Sequence, residues 1–142
     1  MLFIGDNQLS EIRRHGESDY PYECCGLLIG SFGSDGRKTV FEAYAISNAR
    51  EEEAKRTRFL ITPEELMRGE RYATSKDLEV VGFYHSHPES PAVPSQYDLE
   101  HAWPTYSYIV MSVIKQQTGD LYSWEMQADR SRFNKEQIQL TR

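Results

Sequence analysis

The sequence predicts an α/β (α+β) fold in which helices pack on a mixed β-sheet. Short apolar segments with β-branched residues alternate with segments that carry helix-start signals, and strands interrupted by helices are typical of a sheet covered by helices. The chain has 142 residues, no internal repeat and no linker rich in proline, glycine or serine. We therefore expect a single domain over residues 1–142.

The N-terminal third of the chain predicts a helix followed by two paired strands. Asp6 can cap a helix that ends near Gly16. A short apolar run between glycines at 26–30 is typical of a buried strand. Glycine and aspartate at 31–38 indicate a turn, and the β-branched and aromatic residues at 39–46 indicate the partner strand.

The middle of the chain predicts a charged loop at 48–56, a short strand at 58–61 and a second helix. Thr62 can cap this helix, a proline follows at the first helical position, and Glu65 can return a hydrogen bond to the cap. We expect the helix to run to about Lys76.

The second half of the chain predicts three further strands and one short helix. Residues 86–94 contain three prolines, which predicts a loop there. Ser95 then begins a short helix that ends before Pro104. The strands are predicted at 78–84, 106–114 and 121–126, with a turn at 116–119.

Composition narrows the class of protein. Lys and Arg number 16 against 22 Asp and Glu, and the net charge of −6 argues against a broad nucleic-acid interface, since such a surface is basic. No apolar run reaches the length of about 18 residues that a membrane span needs, and residues 1–10 lack the features of a signal peptide. The two cysteines, Cys24 and Cys25, are adjacent and unsuited to a disulfide framework. We therefore expect a reducing, cytoplasmic location.

The most informative segment is a histidine pair followed by a carboxylate. His85 and His87 lie two residues apart at the end of an apolar strand, so their imidazoles point to the same face of the sheet. Asp98 follows after the proline-rich loop, which can fold back and bring the carboxylate to the same point. Two histidines and one carboxylate are typical ligands of catalytic zinc, although nickel, cobalt or iron could occupy them.

Each of these residues also has a simpler interpretation. A His-x-His pair in a strand is more often structural than metal-binding. Ser95 and Asp98 have the spacing of a helix cap, and a cap would still fix the direction in which Asp98 points. His101 lies one turn further along the same helix and could reach the site, whereas His15 is expected to be solvated.

A hydrolytic zinc site also needs a general base, and the residue pattern alone leaves Glu23, Glu89 and Glu100 open. Ser95 is disfavoured as a nucleophile, because no Gly-x-Ser-x-Gly turn surrounds it. A cysteine nucleophile is disfavoured too, because both cysteines precede a buried strand, where small core residues are expected.

Residues 85–98 resemble the signature of the JAMM (MPN+) metallopeptidase family. The complete pattern is His-x-His, seven residues, Ser, two residues, Asp. Residues 20–30 resemble the family segment that supplies a catalytic glutamate, and the similarity extends over roughly 5–135. The resemblance is to compact stand-alone prokaryotic members, such as the peptidase that removes cysteine from a sulfur-carrier protein.

The resemblance implies a role for each matching residue. His85, His87 and Asp98 would hold one zinc ion per chain. Glu23 would activate the zinc-bound water as general base, and Ser95 would hydrogen-bond the developing oxyanion. The family fold is a curved mixed sheet flanked by helices, like that of cytidine deaminases, whose own signature of His-x-Glu with Pro-Cys-x-x-Cys is absent from this sequence.

The resemblance also implies the reaction and the partner. It implies a zinc metallopeptidase, related to deubiquitinases, that hydrolyses a peptide or isopeptide bond after the Gly-Gly tail of a ubiquitin-like or sulfur-carrier protein. Such a tail is extended and could add as a strand to a sheet edge. Two alternatives stay open: a non-catalytic scaffold that binds ubiquitin-like proteins, and a zinc peptidase of other specificity, such as one acting on cell-wall peptides. The sequence makes no prediction of oligomeric state.

Overall fold

The computed structural model describes residues 1–50 and 59–141, in which eight strands form one mixed sheet with three helices. The strands are β1 (Leu2–Gly5), β2 (Cys25–Phe32), β3 (Lys38–Ile46), β4 (Glu79–Pro88), β5 (Ser107–Ile114), β6 (Gln117–Met126), β7 (Phe133–Glu136) and β8 (Ile138–Thr141). The helices are α1 (Asp6–Asp19), α2 (Pro63–Ser75) and α3 (Gln96–His101). In space the strands follow the order β7-β6-β5-β4-β2-β3-β1-β8. The predicted α/β fold class is confirmed.

The sheet curls until its two edges approach each other. Strand β7 lies at one edge and β8 at the other, yet only Gln137 separates them in the chain. The curl also joins strands that are remote in the strand order, because the Lys38 ammonium of β3 lies 2.6 Å from a carboxylate oxygen of Glu125 in β6 and 3.3 Å from one of Glu136 in β7. The sheet is therefore curved and nearly closed.

The two longer helices cover opposite faces of the sheet. Successive side chains of a strand point to opposite faces, and in β2 Leu28 packs with Ile12 of α1, whereas Leu27 packs with Ala73 of α2. All four side chains are fully buried. The central strands are therefore covered on both sides, which accounts for their continuous apolar sequence. Within the described ranges, no helix is long and apolar enough to cross a membrane.

The helix-start signals correspond closely to the helices, with two differences in detail. Gly5 occupies the cap position of α1 and Asp6 is its first helical residue, so the prediction that Asp6 caps this helix is wrong. The Thr62 cap of α2 is confirmed, since its hydroxyl accepts the backbone N–H of Glu65 at 3.2 Å. The Glu65 carboxylate pairs with Arg68 at 2.7 Å, where a return bond to the cap was expected.

Strand β4 is longer than predicted. It continues to Pro88, so the predicted loop at 86–94 is wrong for its first three residues, and both His85 and His87 stand within the strand. The extension is paired, because His87 lies opposite Ser112 of the parallel strand β5. Proline is tolerated here because the backbone nitrogen at 88 faces the same side as that of Ser86, which donates to the Cys24 carbonyl, and β2, which begins at Cys25, does not reach Pro88.

Other differences concern turns and short strands. Residues 59–61 are not part of the sheet, so the strand predicted at 58–61 is wrong over the part that is described, and most of the loop predicted at 48–56 lies outside the described residues. The turn between β5 and β6 is at Lys115 and Gln116, which have φ angles of 50° and 66°, rather than over 116–119. The four-residue strands β1, β7 and β8 are too short for a clear periodic pattern.

Candidate metal centre

His85, His87 and Asp98 converge at the carboxyl end of β4. The two histidine Nε2 atoms are 3.1 Å apart, and Asp98 Oδ2 lies 3.1 Å from Nε2 of His85 and 3.3 Å from Nε2 of His87. In a tetrahedral zinc site with metal–ligand bonds of about 2.0–2.1 Å, neighbouring ligand atoms are about 3.3 Å apart. The three donor atoms therefore have the spacing of three ligands around one zinc ion.

The two imidazoles are oriented by different contacts. Nδ1 of His87 lies 2.9 Å from the carbonyl oxygen of Pro91, so Nδ1 carries the proton and Nε2 keeps its lone pair for the cluster. The His85 ring stacks on Phe59 with the ring centroids 4.7 Å apart. Its Nδ1 atom is buried, and no hydrogen-bond partner for it lies within residues 1–50 and 59–141. A hydrogen bond thus orients His87, and packing orients His85.

Helix α3 presents Asp98 through a capping box. The Ser95 hydroxyl accepts the backbone N–H of Asp98 at 3.1 Å, and the Ser95 backbone N–H donates to Asp98 Oδ2 at 2.8 Å. This Oδ2 is the same oxygen that faces both imidazoles. The cap therefore fixes the direction of the carboxylate, as expected from the spacing of the two residues.

The pKa of Asp98 lies well below its usual range. Burial acts to raise this pKa, but the charge of His85, the close polar contacts of the carboxylate with the two imidazoles and the hydrogen bond from the Ser95 backbone N–H together outweigh it. The carboxylate is therefore ionised, which is the form in which a carboxylate binds a metal. An ionised carboxylate beside two imidazoles fits a divalent cation.

Glu23 lies beside this cluster because of the pairing of β2 with β4. Cys25, the first residue of β2, pairs with His85 in an antiparallel register, and the Ser86 N–H donates to the Cys24 carbonyl, so the residue two positions before β2 lies opposite the residue two positions after His85. This register places Glu23 next to His87 at the end of the two strands. Both residues line one side of an open groove of about 500 Å³, which Ser95 also lines.

The Glu23 side chain is in an environment that disfavours its charge. The residue is 4% exposed, and burial raises its pKa to about 9, with a smaller contribution from the negative charge of Asp98. A cation held by the neighbouring donor atoms would act in the opposite direction and favour the carboxylate. The protonation of Glu23 is therefore coupled to the charge of the cluster.

Two histidines lie outside the ligand cluster. Nδ1 of His101 donates to the Tyr97 carbonyl at 2.8 Å, and its ring stacks on Tyr97. His101 lines a small cavity next to the cluster but is not one of the three converging donors. His15 is not solvated as expected, since it contacts the Tyr84 hydroxyl at 2.7 Å and Asp19 at 3.2 Å.

The other candidate bases and the cysteines lie elsewhere. Glu89 is exposed and accepts the Tyr20 hydroxyl at 2.7 Å, and Glu100 is exposed on α3. Cys24 and Cys25 are free, fully buried thiols. Burial raises the pKa of both thiols, that of Cys24 to about 12, which makes both poor nucleophiles.

Asn48 supports the site without any signal in the sequence. Its side-chain amide donates to the Glu23 carbonyl at 3.1 Å, and its Oδ1 atom accepts the backbone N–H groups of Arg50 and Leu60, each at 3.0 Å. Asn48 thus links the strand end at Glu23 to the segment that carries Phe59. An asparagine in a loop is too common for the sequence to single it out.

Comparison with known proteins places the chain in a family. Residues 6–127 match a family model described as prokaryotic homologs of the JAB domain. The chain is 43% identical over 108 residues to a desampylase of Haloferax volcanii, and the aligned region covers 75% of this chain and 74% of that protein. It is 28% identical over 127 residues to a CysO-cysteine peptidase of Mycobacterium tuberculosis, and this aligned region covers 89% of this chain and 83% of that protein.

A solved structure agrees with the fold. A JAB1/MPN domain protein from Archaeoglobus fulgidus superposes with a TM-score of 0.60 over 100% of both chains at 18% sequence identity. At this identity the likeness concerns the fold alone. The family match and the similarity to the desampylase confirm the resemblance to JAMM proteins that residues 85–98 predicted. The chain belongs to the family of prokaryotic homologs of the JAB domain.

Proposed function

We propose that this chain is a zinc metallopeptidase that cleaves the bond after the C-terminal tail of a ubiquitin-like or sulfur-carrier protein. The observation that carries the proposal is the convergence of His85, His87 and Asp98 beside the buried carboxyl group of Glu23. The family and the similar proteins, a desampylase and a CysO-cysteine peptidase, make the chain a hydrolase of the JAB type. They also support a conjugate of such a carrier as the substrate class.

The proposed ligands are His85 Nε2, His87 Nε2 and Asp98 Oδ2. Three protein ligands are the usual number in catalytic zinc sites, and two imidazoles with one ionised carboxylate match the donor chemistry of zinc. We propose one zinc ion per chain. Bound zinc would polarise the scissile carbonyl and lower the pKa of the attacking water.

Glu23 is the proposed general base and acid. Its carboxylate takes a proton from the water that attacks the carbonyl carbon, and the same proton passes to the nitrogen of the leaving amine when the C–N bond breaks. The position of Glu23 on the groove beside His87 supports this role. Burial raises the pKa of Glu23 to about 9, so without a cation the group would be protonated at neutral pH, and a divalent cation on the neighbouring donor atoms would lower this pKa and favour the carboxylate that a general base requires.

Ser95 is the proposed donor to the oxyanion. Its hydroxyl oxygen accepts the backbone N–H of Asp98, and a hydroxyl that accepts one bond can still donate its own proton. The residue is exposed and borders the same groove as Glu23. A donor at this place would stabilise negative charge on the carbonyl oxygen as the water attacks.

Two further proposals concern the tail of the substrate and the cellular compartment of the protein. A tail that ends in Gly-Gly presents no side chains next to the scissile bond, so its backbone can approach a buried cluster closely. We propose such a tail as the acyl part of the substrate. We also propose a cytoplasmic location, because both cysteines are free thiols.

The test is cleavage of a defined conjugate. Purified protein is incubated with a ubiquitin-like protein joined through its C-terminal glycine to a lysine, and separately with a cysteine adduct of a sulfur carrier, and products are followed by mass spectrometry. We expect hydrolysis after the terminal glycine, loss of activity with a chelator, and recovery with zinc. Activity after complete metal removal would contradict the metal mechanism. Binding without cleavage would favour a scaffold, and cleavage of cell-wall peptides alone would favour the other specificity.

A further inference from the structure

The loop between β4 and α3, residues 89–95, folds back over the sheet. Ala92, in the middle of this loop, is 2% exposed, so the loop is anchored on the strands at this residue although most of its other residues are exposed. The loop ends at Ser95, the cap of the helix that carries Asp98. The path of the loop therefore decides where the Asp98 carboxylate meets the two imidazoles.

Three successive carbonyl groups of the loop, those of residues 90–92, are each held by a different strand. The Ser112 hydroxyl of β5 donates to the first at 2.7 Å. Nδ1 of His87 in β4 lies 2.9 Å from the second. The indole Nε1 of Trp124 in β6 donates to the third at 3.2 Å. The loop is thus fixed at three consecutive points across three neighbouring strands.

Ser112 and Trp124 lie on the same face of the sheet as the metal cluster. In the register of the sheet, Ser112 pairs with His87 and Trp124 pairs with Tyr108, whose ring lines the small cavity next to the cluster. The ammonium of Lys135, the register partner of Trp124, lies 5.6 Å from the centroid of the Trp124 ring and 3.8 Å from that of the Tyr122 ring. Both donors therefore project toward the loop from fixed positions.

We propose that Trp124 and Ser112 are positioning residues of the metal centre, an inference that rests on the metal site of the proposed function. They act through the loop: by holding the carbonyls of residues 92 and 90, they fix the start of α3. The start of α3 in turn sets the 3.1 Å separation between Asp98 Oδ2 and His85 Nε2. The hydrogen bonds of Trp124 and Ser112 go to the loop carbonyls and not to the three donor atoms of the metal cluster.

The test measures zinc affinity in variants that each delete one of these hydrogen bonds. Trp124→Phe removes the indole N–H and keeps an aromatic ring, and Ser112→Ala removes the hydroxyl. Zinc affinity is measured by competition with a chelator of known affinity. We expect each variant to bind zinc about 10-fold more weakly, because loss of outer contacts that support metal ligands weakens binding by about 10–100-fold. Ser112→Thr keeps the hydroxyl, and we expect it to bind zinc like the unmodified protein.

Tyr122→Phe is the matched control. Tyr122 lies two residues before Trp124 on the same face of β6, and its ring packs edge-on against the Trp124 ring with centroids 6.5 Å apart. The substitution removes one hydroxyl and leaves all three hydrogen bonds to the loop carbonyls in place. We therefore expect unchanged zinc affinity. The thermal midpoint of each metal-free protein separates a loss of folding from a loss of metal affinity.

The outcomes distinguish this inference from the proposed function. Unchanged zinc affinity in both Trp124→Phe and Ser112→Ala, with tight binding by the unmodified protein, would overturn the inference and leave the proposed function intact. An equal loss in Tyr122→Phe would also overturn it, because the effect would not be specific to the loop. Absence of zinc binding by the unmodified protein would instead overturn the proposed function.

Discussion

Asp98 serves the helix and the candidate metal centre through one atom. Its Oδ2 accepts the Ser95 backbone N–H at 2.8 Å and faces both imidazoles. Asparagine keeps an oxygen that can accept the capping bond but has no charge. We expect Asp98→Asn to keep α3 and to bind zinc more than about 100-fold more weakly, since even outer contacts contribute about 10–100-fold. Zinc stoichiometry after dialysis and far-ultraviolet circular dichroism measure the two effects.

The control for this substitution is Asp35→Asn. Asp35 is exposed in the turn between β2 and β3 and pairs with Arg37, so we expect the full zinc content of the unmodified protein. Equal zinc content in Asp98→Asn and Asp35→Asn would show that Asp98 is a helix cap and not a ligand.

Glu23 can be tested by a substitution that preserves its shape. Glutamine has nearly the same volume as glutamate but cannot take up a proton from water at neutral pH. We expect Glu23→Gln to retain zinc and to lose about 10²–10⁴-fold in kcat, the usual contribution of general acid–base catalysis. Glu89→Gln is the comparison, because Glu89 is exposed and engaged with Tyr20, and we expect it to be fully active. Full activity in Glu23→Gln would assign the base to another group.

In both α2 and α3 the cap hydroxyl accepts a backbone N–H of the first turn, yet only α3 adds the return bond of a capping box and carries a candidate ligand. The Thr62 hydroxyl accepts the N–H of Glu65 at 3.2 Å, and the Ser95 hydroxyl accepts the N–H of Asp98 at 3.1 Å. We expect Thr62→Ala and Ser95→Ala each to lower the free energy of unfolding of the metal-free protein by about 1 kcal/mol. Urea denaturation measures this loss.

The two cap variants should differ in zinc affinity. Loss of the Ser95 hydroxyl loosens the turn that holds Asp98, so we expect Ser95→Ala to bind zinc about 10-fold more weakly. Thr62→Ala should bind zinc like the unmodified protein, because α2 supplies no donor atom to the cluster. Equal zinc affinities in the two variants would contradict a link between the α3 cap and the metal centre.

At the scale of the whole molecule, a buried group of charges lies where the edges of the sheet approach each other. Lys38 of β3 contacts Glu125 and Glu136, and the Glu136 carboxylate also accepts the hydroxyl groups of Ser107 and Ser123 at 2.6 and 2.8 Å. Both Lys38 and Glu136 are buried. Removing one partner of a buried ion pair leaves a charge without compensation, which costs about 3–5 kcal/mol.

We therefore expect Lys38→Met to lower the free energy of unfolding by about 3 kcal/mol, the lower end of this range, because the N-terminal ammonium of Met1 still lies 3.3 Å from a carboxylate oxygen of Glu136. Lys76→Met is the control, because Lys76 is exposed and pairs with Glu42 at 2.8 Å on the surface, where an ion pair contributes little. Chemical denaturation of both variants measures the difference. If Lys38→Met were as stable as Lys76→Met, the charges at the closure would not hold the sheet together.

Local features of this protein follow from the sequence alone. The caps at Thr62 and Ser95 and the shared face of His85 and His87 depend on residues within four positions along the chain, so short-range geometry determines them. The same reasoning is wrong for 59–61, where apolar, β-type composition does not lead to a sheet position, because a strand exists only when a neighbouring strand pairs with it.

The tertiary structure decided what depends on pairing between remote segments. From the residues alone, Glu23, Glu89 and Glu100 were equivalent candidates, and the register of β2 against β4 brings only Glu23 beside the cluster. The ion pair between Lys38 and Glu125 joins residues 87 positions apart, and the hydrogen bond from Trp124 to the Ala92 carbonyl joins residues 32 positions apart. The sequence determined which chemical groups are present and how each local element begins, whereas the sheet determined which of them meet, because strand order and register are global properties of the chain.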